Sequence, residues 1–263
     1  NNYNKKLQNF YKKMKKISLE ICTGSIDSCF EAQKGGANRV ELCDNLFEGG
    51  TTPSFATIAY AKEHLDLDIM VMIRPRGGDF LYNDIEFELM KQDILTCKNI
   101  GVKGVVFGML TADGKVDKER TKTLVELAGS MKTCFHRAID MTEDYFLAGK
   151  DIVECGCSRI LTSGQRNKAL EGAENIAQLQ KLYGEKIEIM AGSGVNTENI
   201  EELFAKTQLQ NYHFSAKRAI AGNMIFRQPN VSMGGKDLSE YDIIQTDAEQ
   251  VRLMRNKLNI LEN

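Results

Sequence analysis

Short apolar stretches rich in valine and isoleucine recur along the chain about every 22 to 35 residues. They begin near Ile17, Arg39, Asp68, Gly104, Lys132, Arg159, Ile187 and Asn211. Between them lie segments with the 3.6-residue period of amphipathic helices, at 25–34, 54–65, 84–100, 117–128, 143–154, 168–183, 197–206 and 240–258. Strands alternating with helices imply a parallel sheet, because a parallel return needs a long crossover. Eight such units predict an α/β fold, a TIM-type (β/α)8 barrel forming a single domain over 17–263. Residues 1–16 fall outside the pattern and read as an N-terminal extension, disordered or non-native. An open doubly wound sheet is the rival architecture, but no G-x-G-x-x-G opens the first helix.

Local signals agree with these boundaries. Asn196 and Asp117 stand where helix caps are needed, and Gly35, Gly36 and Gly101 follow helices where a left-handed residue closes the last turn. Pro53, Pro75 and Pro229 fall in loops or at element edges.

Composition narrows the function classes. A chain of 263 residues with 42% hydrophobic content suits one large barrel. A net charge of -2 offers no global attraction to nucleic acid or an anionic membrane. The basic run at 5–16 reads as a solvated tail, and Met14 as a natural start. No signal-peptide pattern and no stretch of ~20 apolar residues is visible, so a cytoplasmic protein is expected. Seven cysteines, an odd number at scattered spacings, argue for reduced thiols. Cys155 and Cys157 resemble a metal pair, yet they precede a strand, at the end of the barrel opposite the usual site.

In such a barrel the site is built at the carboxyl ends of the strands. Leu19-Glu20-Ile21-Cys22 and Val40-Glu41-Leu42-Cys43 repeat one pattern, in which glutamate and cysteine share a face and would line the interior. Beyond them come Arg74 and Arg76, then His136, Arg137 and Asp140, then Thr162 to Gln165, then His213 and Ser215. Imidazole beside carboxylate is a common acid/base arrangement, making Glu20, Glu41, Arg74 and His136 catalytic candidates. Gly192-Ser193-Gly194 and Ser215 occupy the two places where such barrels hold phosphate, and with Arg76 they form an expected anion site. The alternative for Gly-Ser-Gly is a tight turn. Thiols on neighbouring strands suit Cu(I), provided the stagger between strands leaves Cys22 and Cys43 within reach of one ion. Small cysteines are also ordinary core residues. The run at 221–239, with Met224, Met233, Gly234 and Gly235, reads as a lid carrying spare soft ligands.

Taken together, these strand ends resemble the CutC family. The motifs are Leu19 to Cys22, Arg39 to Cys43 with Glu48 to Ser54, Ile73 to Phe80, Phe135 to Ala138, Arg159 to Gln165 and Met190 to Val195. The resemblance implies a TIM-type barrel, a cytoplasmic home, self-association as a dimer or tetramer, and a role in copper homeostasis. It also implies Cu(I) at Cys22 and Cys43. The alternative is a barrel enzyme using acid/base chemistry on a small anionic or phosphorylated metabolite, with the copper role indirect.

Overall fold

Eight strands run parallel and pair in chain order: β1 (Ser18–Thr23), β2 (Arg39–Leu42), β3 (Asp68–Met72), β4 (Gly104–Phe107), β5 (Lys132–Phe135), β6 (Arg159–Thr162), β7 (Glu188–Ala191) and β8 (Asn211–Phe214). The ring closes where β8 returns to β1, with Glu20 opposite His213. The structure, a computed structural model, describes residues 16–231, 233 and 239–262. The expected extension, apart from Lys16, and Gly234 and Gly235 of the expected lid lie outside the described residues.

The crossovers are α1 (Ile26–Lys34), α2 (Phe55–His64), α3 (Asp84–Ile100), α4 (Lys118–Ala128), α5 (Tyr145–Glu154), α6 (Ala173–Tyr183) and α7 (Ile200–Thr207), and α8 (Ala248–Leu261) completes the outer layer. Side chains that satisfy orphan N–H groups set several helix starts. Ser25 accepts from Ser28, Asp117 from Arg120, and Asn83 and Glu86 form a reciprocal capping box.

The period-2 alternation sorts each strand into two faces. Leu19, Ile21, Val40, Leu42, Val105 and Phe107 face outward into the main core shared with the helices. Cys43, Met70, Met72, Val106, Cys134, Leu161 and Met190 form a second cluster, with Cys22 and Leu46 packed against it. Flexible thioethers adapt to an interior of irregular shape, and here they also make it rich in sulfur.

Two predicted helices start late. The 168–183 segment becomes helical only at Ala173, because the backbones of Gly164 and Gly172 press together first. A Cβ on Gly164 would lie 2.3 Å from the Gly172 carbonyl oxygen, so neither residue has room for a side chain. The 240–258 segment opens instead as strand β10 (Asp242–Thr246), antiparallel to β9 (Lys217–Ala221). Asp247 then caps α8. The expected lid thus joins the two strands of a hairpin, and Met224 and Met233 sit exposed on it. Among the described residues no helix is long and apolar enough to cross a membrane.

Candidate functional site

The shear of the barrel decides which side chains meet. Between β1 and β2, Glu20 stands opposite Arg39 and Cys22 opposite Glu41. Cys43 therefore rises one step above both, and the two Glu-x-Cys pairs form a staircase rather than a square.

The lowest step is an ion cluster. Glu20, 1% exposed, pairs with the Arg39 Nε, takes a 2.9 Å contact from His213 Nδ1, and lies 3.8 Å from Arg159 Nη1. Arg39 also donates to Ser18 Oγ and Asn211 Oδ1, and Arg159 donates twice to Glu188. Burial alone would raise the Glu20 carboxyl. Arg39, His213 and Arg159 outweigh it and hold Glu20 well below the usual carboxylate range. For His213, burial works against the charge, but Glu41, Cys22 and Glu20 hold the imidazolium well above its ordinary range. Arg39 and Arg159 stood in the sequence only as strand starts. The alternation Arg39-x-Glu41-x-Cys43 is the signal that puts Arg39 indoors.

The middle step carries the thiols. One sulfur each from Cys22 and Cys43 and one Glu41 oxygen lie within 4.8 Å of one another, as do one ligand atom each from Glu20, Glu41 and His213. A hydrogen bond from Cys43, aided by His213, pulls the Cys22 thiol well below its ordinary pKa despite burial. The same bond, followed by burial and the Glu41 charge, pushes Cys43 up. The shared bond thus draws the two apart, Cys22 toward the thiolate and Cys43 toward the thiol. Cys43 Sγ is also 3.6 Å from Glu41 Oε2. Burial raises the Glu41 carboxyl to about 8, with Cys22 and Glu20 adding to the effect and His213 opposing it.

The upper wall is built from Arg74, Phe80 and His136. Arg74 Nη1 donates to the carbonyls of Glu48 and Gly50, and Nη2 to that of Gly78 at 2.8 Å. Its guanidinium carbon lies 5.1 Å from the centre of the Phe80 ring, and the His136 ring packs against the same phenyl at 5.0 Å. His136 Nδ1 accepts the Ala138 N–H at 3.2 Å, which fixes the ring and leaves the proton on Nε2. Burial, and then the Arg74 charge, lower its pKa to about 3, so the ring is neutral. Gly108 makes the space, since a Cβ there would lie 2.5 Å from His136 Nδ1.

These steps enclose a cavity of about 250 Å³ lined by Cys22, Glu41, Arg74, Phe80, His136 and His213, among others. Of the expected site residues, Glu20 lies beneath this cavity, and Cys43 is buried against its wall. His136 is a fixed neutral donor rather than an acid/base group, and His213 occupies the position between carboxylates. Arg76 is spent on Glu86, at 2.6 Å, and on the carbonyls of Gly77, Asp79 and Leu81. Gly192-Ser193-Gly194 is a packed turn: Ser193 donates to the Asn167 carbonyl, Gly194 accepts from Asn199, and α7 starts only at Ile200. Ser215 is half-buried beyond β8 and does not line the cavity. Asp140 serves the scaffold, gathering Thr162 Oγ1, the Ser163 and Gln165 N–H groups and Arg137. Cys155 and Cys157 are buried, and among the described residues neither joins a metal-ligating group.

Comparison with known proteins places this geometry. Residues 17–218 match the CutC family. A family protein CutC of Chromobacterium violaceum is 47% identical over 92% of this chain and 98% of its own. The copper homeostasis protein cutC homolog of Dictyostelium discoideum is 41% identical over 92% and 98%. Among solved structures, one from Streptococcus agalactiae described as a copper homeostasis protein CutC superposes with a TM-score of 0.72, at 34% identity, over 76% of this chain and 98% of that one. A thiamine phosphate pyrophosphorylase of Pyrococcus furiosus, 14% identical with a TM-score of 0.57 over 94% of this chain and 98% of that one, shares the fold alone.

Proposed function

The chain belongs to the CutC family, whose named role is copper homeostasis, and from that premise we propose that it takes Cu(I) as cargo on Cys22 and Cys43. The observation that carries this reading is the approach of the two sulfurs and a Glu41 oxygen to within 4.8 Å. Thiolates are the soft ligands Cu(I) prefers, and Cys22 is shifted toward the thiolate form. Behind the pair lie Met70, Met72 and Met190, so the surroundings are apolar and polarisable. Free thiols also fit a reducing, cytoplasmic setting. The exposed Met224, Ile225 and Phe226 that follow β9 supply an apolar surface for self-association.

The test is an anaerobic titration of reduced protein with Cu(I) against a competing chelator. Replacing both cysteines (Cys22→Ser with Cys43→Ser) should weaken binding by more than the roughly 10- to 100-fold that outer-shell changes cost. Equal affinity of the double variant and the parent would refute the proposal.

One observation favours a second reading, acid/base chemistry on a small metabolite. His213 Nδ1 is 2.9 Å from Glu20 and its Nε2 is 3.7 Å from Glu41, which is the placement of a proton-transfer group. A thermal-shift screen against small anions and phosphate esters checks it, and a panel with no stabilising member counts against it.

A further inference from the structure

We propose that the Arg74–Phe80–His136 wall of the mouth binds the carboxylate of a small hydroxy acid. The inference goes beyond the copper reading and uses neither thiol.

It starts from polar atoms left without partners. Buried polar groups in folded proteins are nearly all hydrogen-bonded, and each exception calls for a reason. Of the six buried side-chain atoms without a partner among the described residues, three belong to residues lining this one cavity: Glu41 Oε1, Arg74 Nε and His136 Nε2. Their residues are 3%, 4% and 5% exposed.

Charge points the same way. Arg74 is a buried guanidinium that donates to three backbone carbonyls and has the Tyr82 hydroxyl beside it, and among the described residues it makes no ion pair. A buried cation without an anion is costly, and a ligand carboxylate would supply the missing charge. Arg74 and His136 pack on the same Phe80 ring, so one wall carries both a guanidinium charge and the His136 Nε2 donor, a combination suited to a carboxylate. The rest of the lining sets the limits. Arg137 and His213 add positive charge, while Glu48 adds an acidic group that disfavours a doubly charged phosphate. A volume of about 250 Å³ admits only a small molecule. A hydroxyl beside the carboxylate gives Glu41 Oε1 a hydrogen to accept.

Calorimetry with glycolate as the probe, on copper-free reduced protein at constant ionic strength, tests the assignment. Glycolate should bind saturably, and Arg74→Lys and His136→Gln should each weaken it about tenfold, the loss expected for a charge-assisted hydrogen bond. Acetate, lacking the hydroxyl, should bind severalfold more weakly. Because glycolate is titrated without copper and Cu(I) without glycolate, failure here and failure of the copper reading are told apart. Glycolate heats no different from those of chloride would overturn the proposal, and so would tighter binding of inorganic phosphate. Acetate as tight as glycolate would remove the part assigned to Glu41. Should the variants not fold, the His136 Nε2 resonance of the parent protein must move as glycolate is added; a stationary resonance refutes the contact.

Discussion

The floor and the wall of the barrel mouth use the same kinds of side chain to different ends. On the floor, Glu20 is surrounded by Arg39, Arg159 and His213, and Arg39 and Arg159 find further partners in Ser18, Asn211 and Glu188. On the wall, Glu41, Arg74 and His136 each keep one buried polar atom unmatched. Among the described residues the floor leaves Arg159 Nη1, 3.8 Å from Glu20, as its one side-chain atom without a hydrogen bond; such a nearly saturated cluster is a framework, because its members hold each other and have little left to offer a ligand. An unsaturated one is a receptor, because the missing bonds are supplied from outside. The thiols sit between the two, with His213 below them and Glu41 beside them.

If that contrast is right, the floor is where a single change does most damage. Glu20→Gln should destabilise the protein by about 3–5 kcal/mol, since it leaves buried cations without their counter-charge. The shift of the urea midpoint measures this, and a change under about 1 kcal/mol would mean that the floor is not a framework. Neutralising Glu41 should act differently. Its carboxyl is raised to about 8 in the fold from an ordinary 4.5, so the folded state keeps a proton that the unfolded chain releases. Stability from this group is therefore complete below about pH 4.5 and is lost as pH rises toward 8. Glu41→Gln should flatten that part of the melting-temperature profile and also shrink the decline above about pH 6.5 that His213, with its raised pKa, contributes by the same logic, since Glu41 is the largest of the groups that raise it. A variant profile parallel to the parent's would place the titration elsewhere. The smallest effect concerns protons on the thiols. With Cys22 shifted toward the thiolate and Cys43 toward the thiol, Cu(I) binding should release about one proton, and affinity should rise about tenfold per pH unit. Calorimetry in two buffers of different ionisation heat counts the protons, and a count near two would mean that both cysteines begin protonated.

Much of this was legible in the chain. Eight Val- and Ile-rich stretches alternating with helical periods announce the barrel, and Glu-x-Cys repeated on β1 and β2 puts four polar side chains indoors. What the repeat does not carry is the stagger. Reading the two strands as level pairs Glu20 with Glu41, whereas the register pairs Glu20 with Arg39 and Cys22 with Glu41. Gly192-Ser193-Gly194 has a packing role that the motif does not announce. Glycine marks a place where the backbone needs room, and here the room is taken by neighbours: a Cβ on Gly192 would lie 2.6 Å from Leu161 and one on Gly194 would lie 2.8 Å from Lys168. Arg76 likewise has the chemistry of an anion ligand, but its own loop offers three carbonyls and Glu86.

Alternation and helical period are local properties, so the sequence by itself determined the elements, their order, the inward faces and the presence of thiols and carboxylates among them. Partnership is not local. Glu20 meets His213 across 193 residues of chain only because the barrel closes there, and the shear of that closure sets which side chains are level. Whether a polar atom ends up satisfied or waiting is the outcome of all those contacts at once, and for this reason only the tertiary structure could separate the floor from the wall.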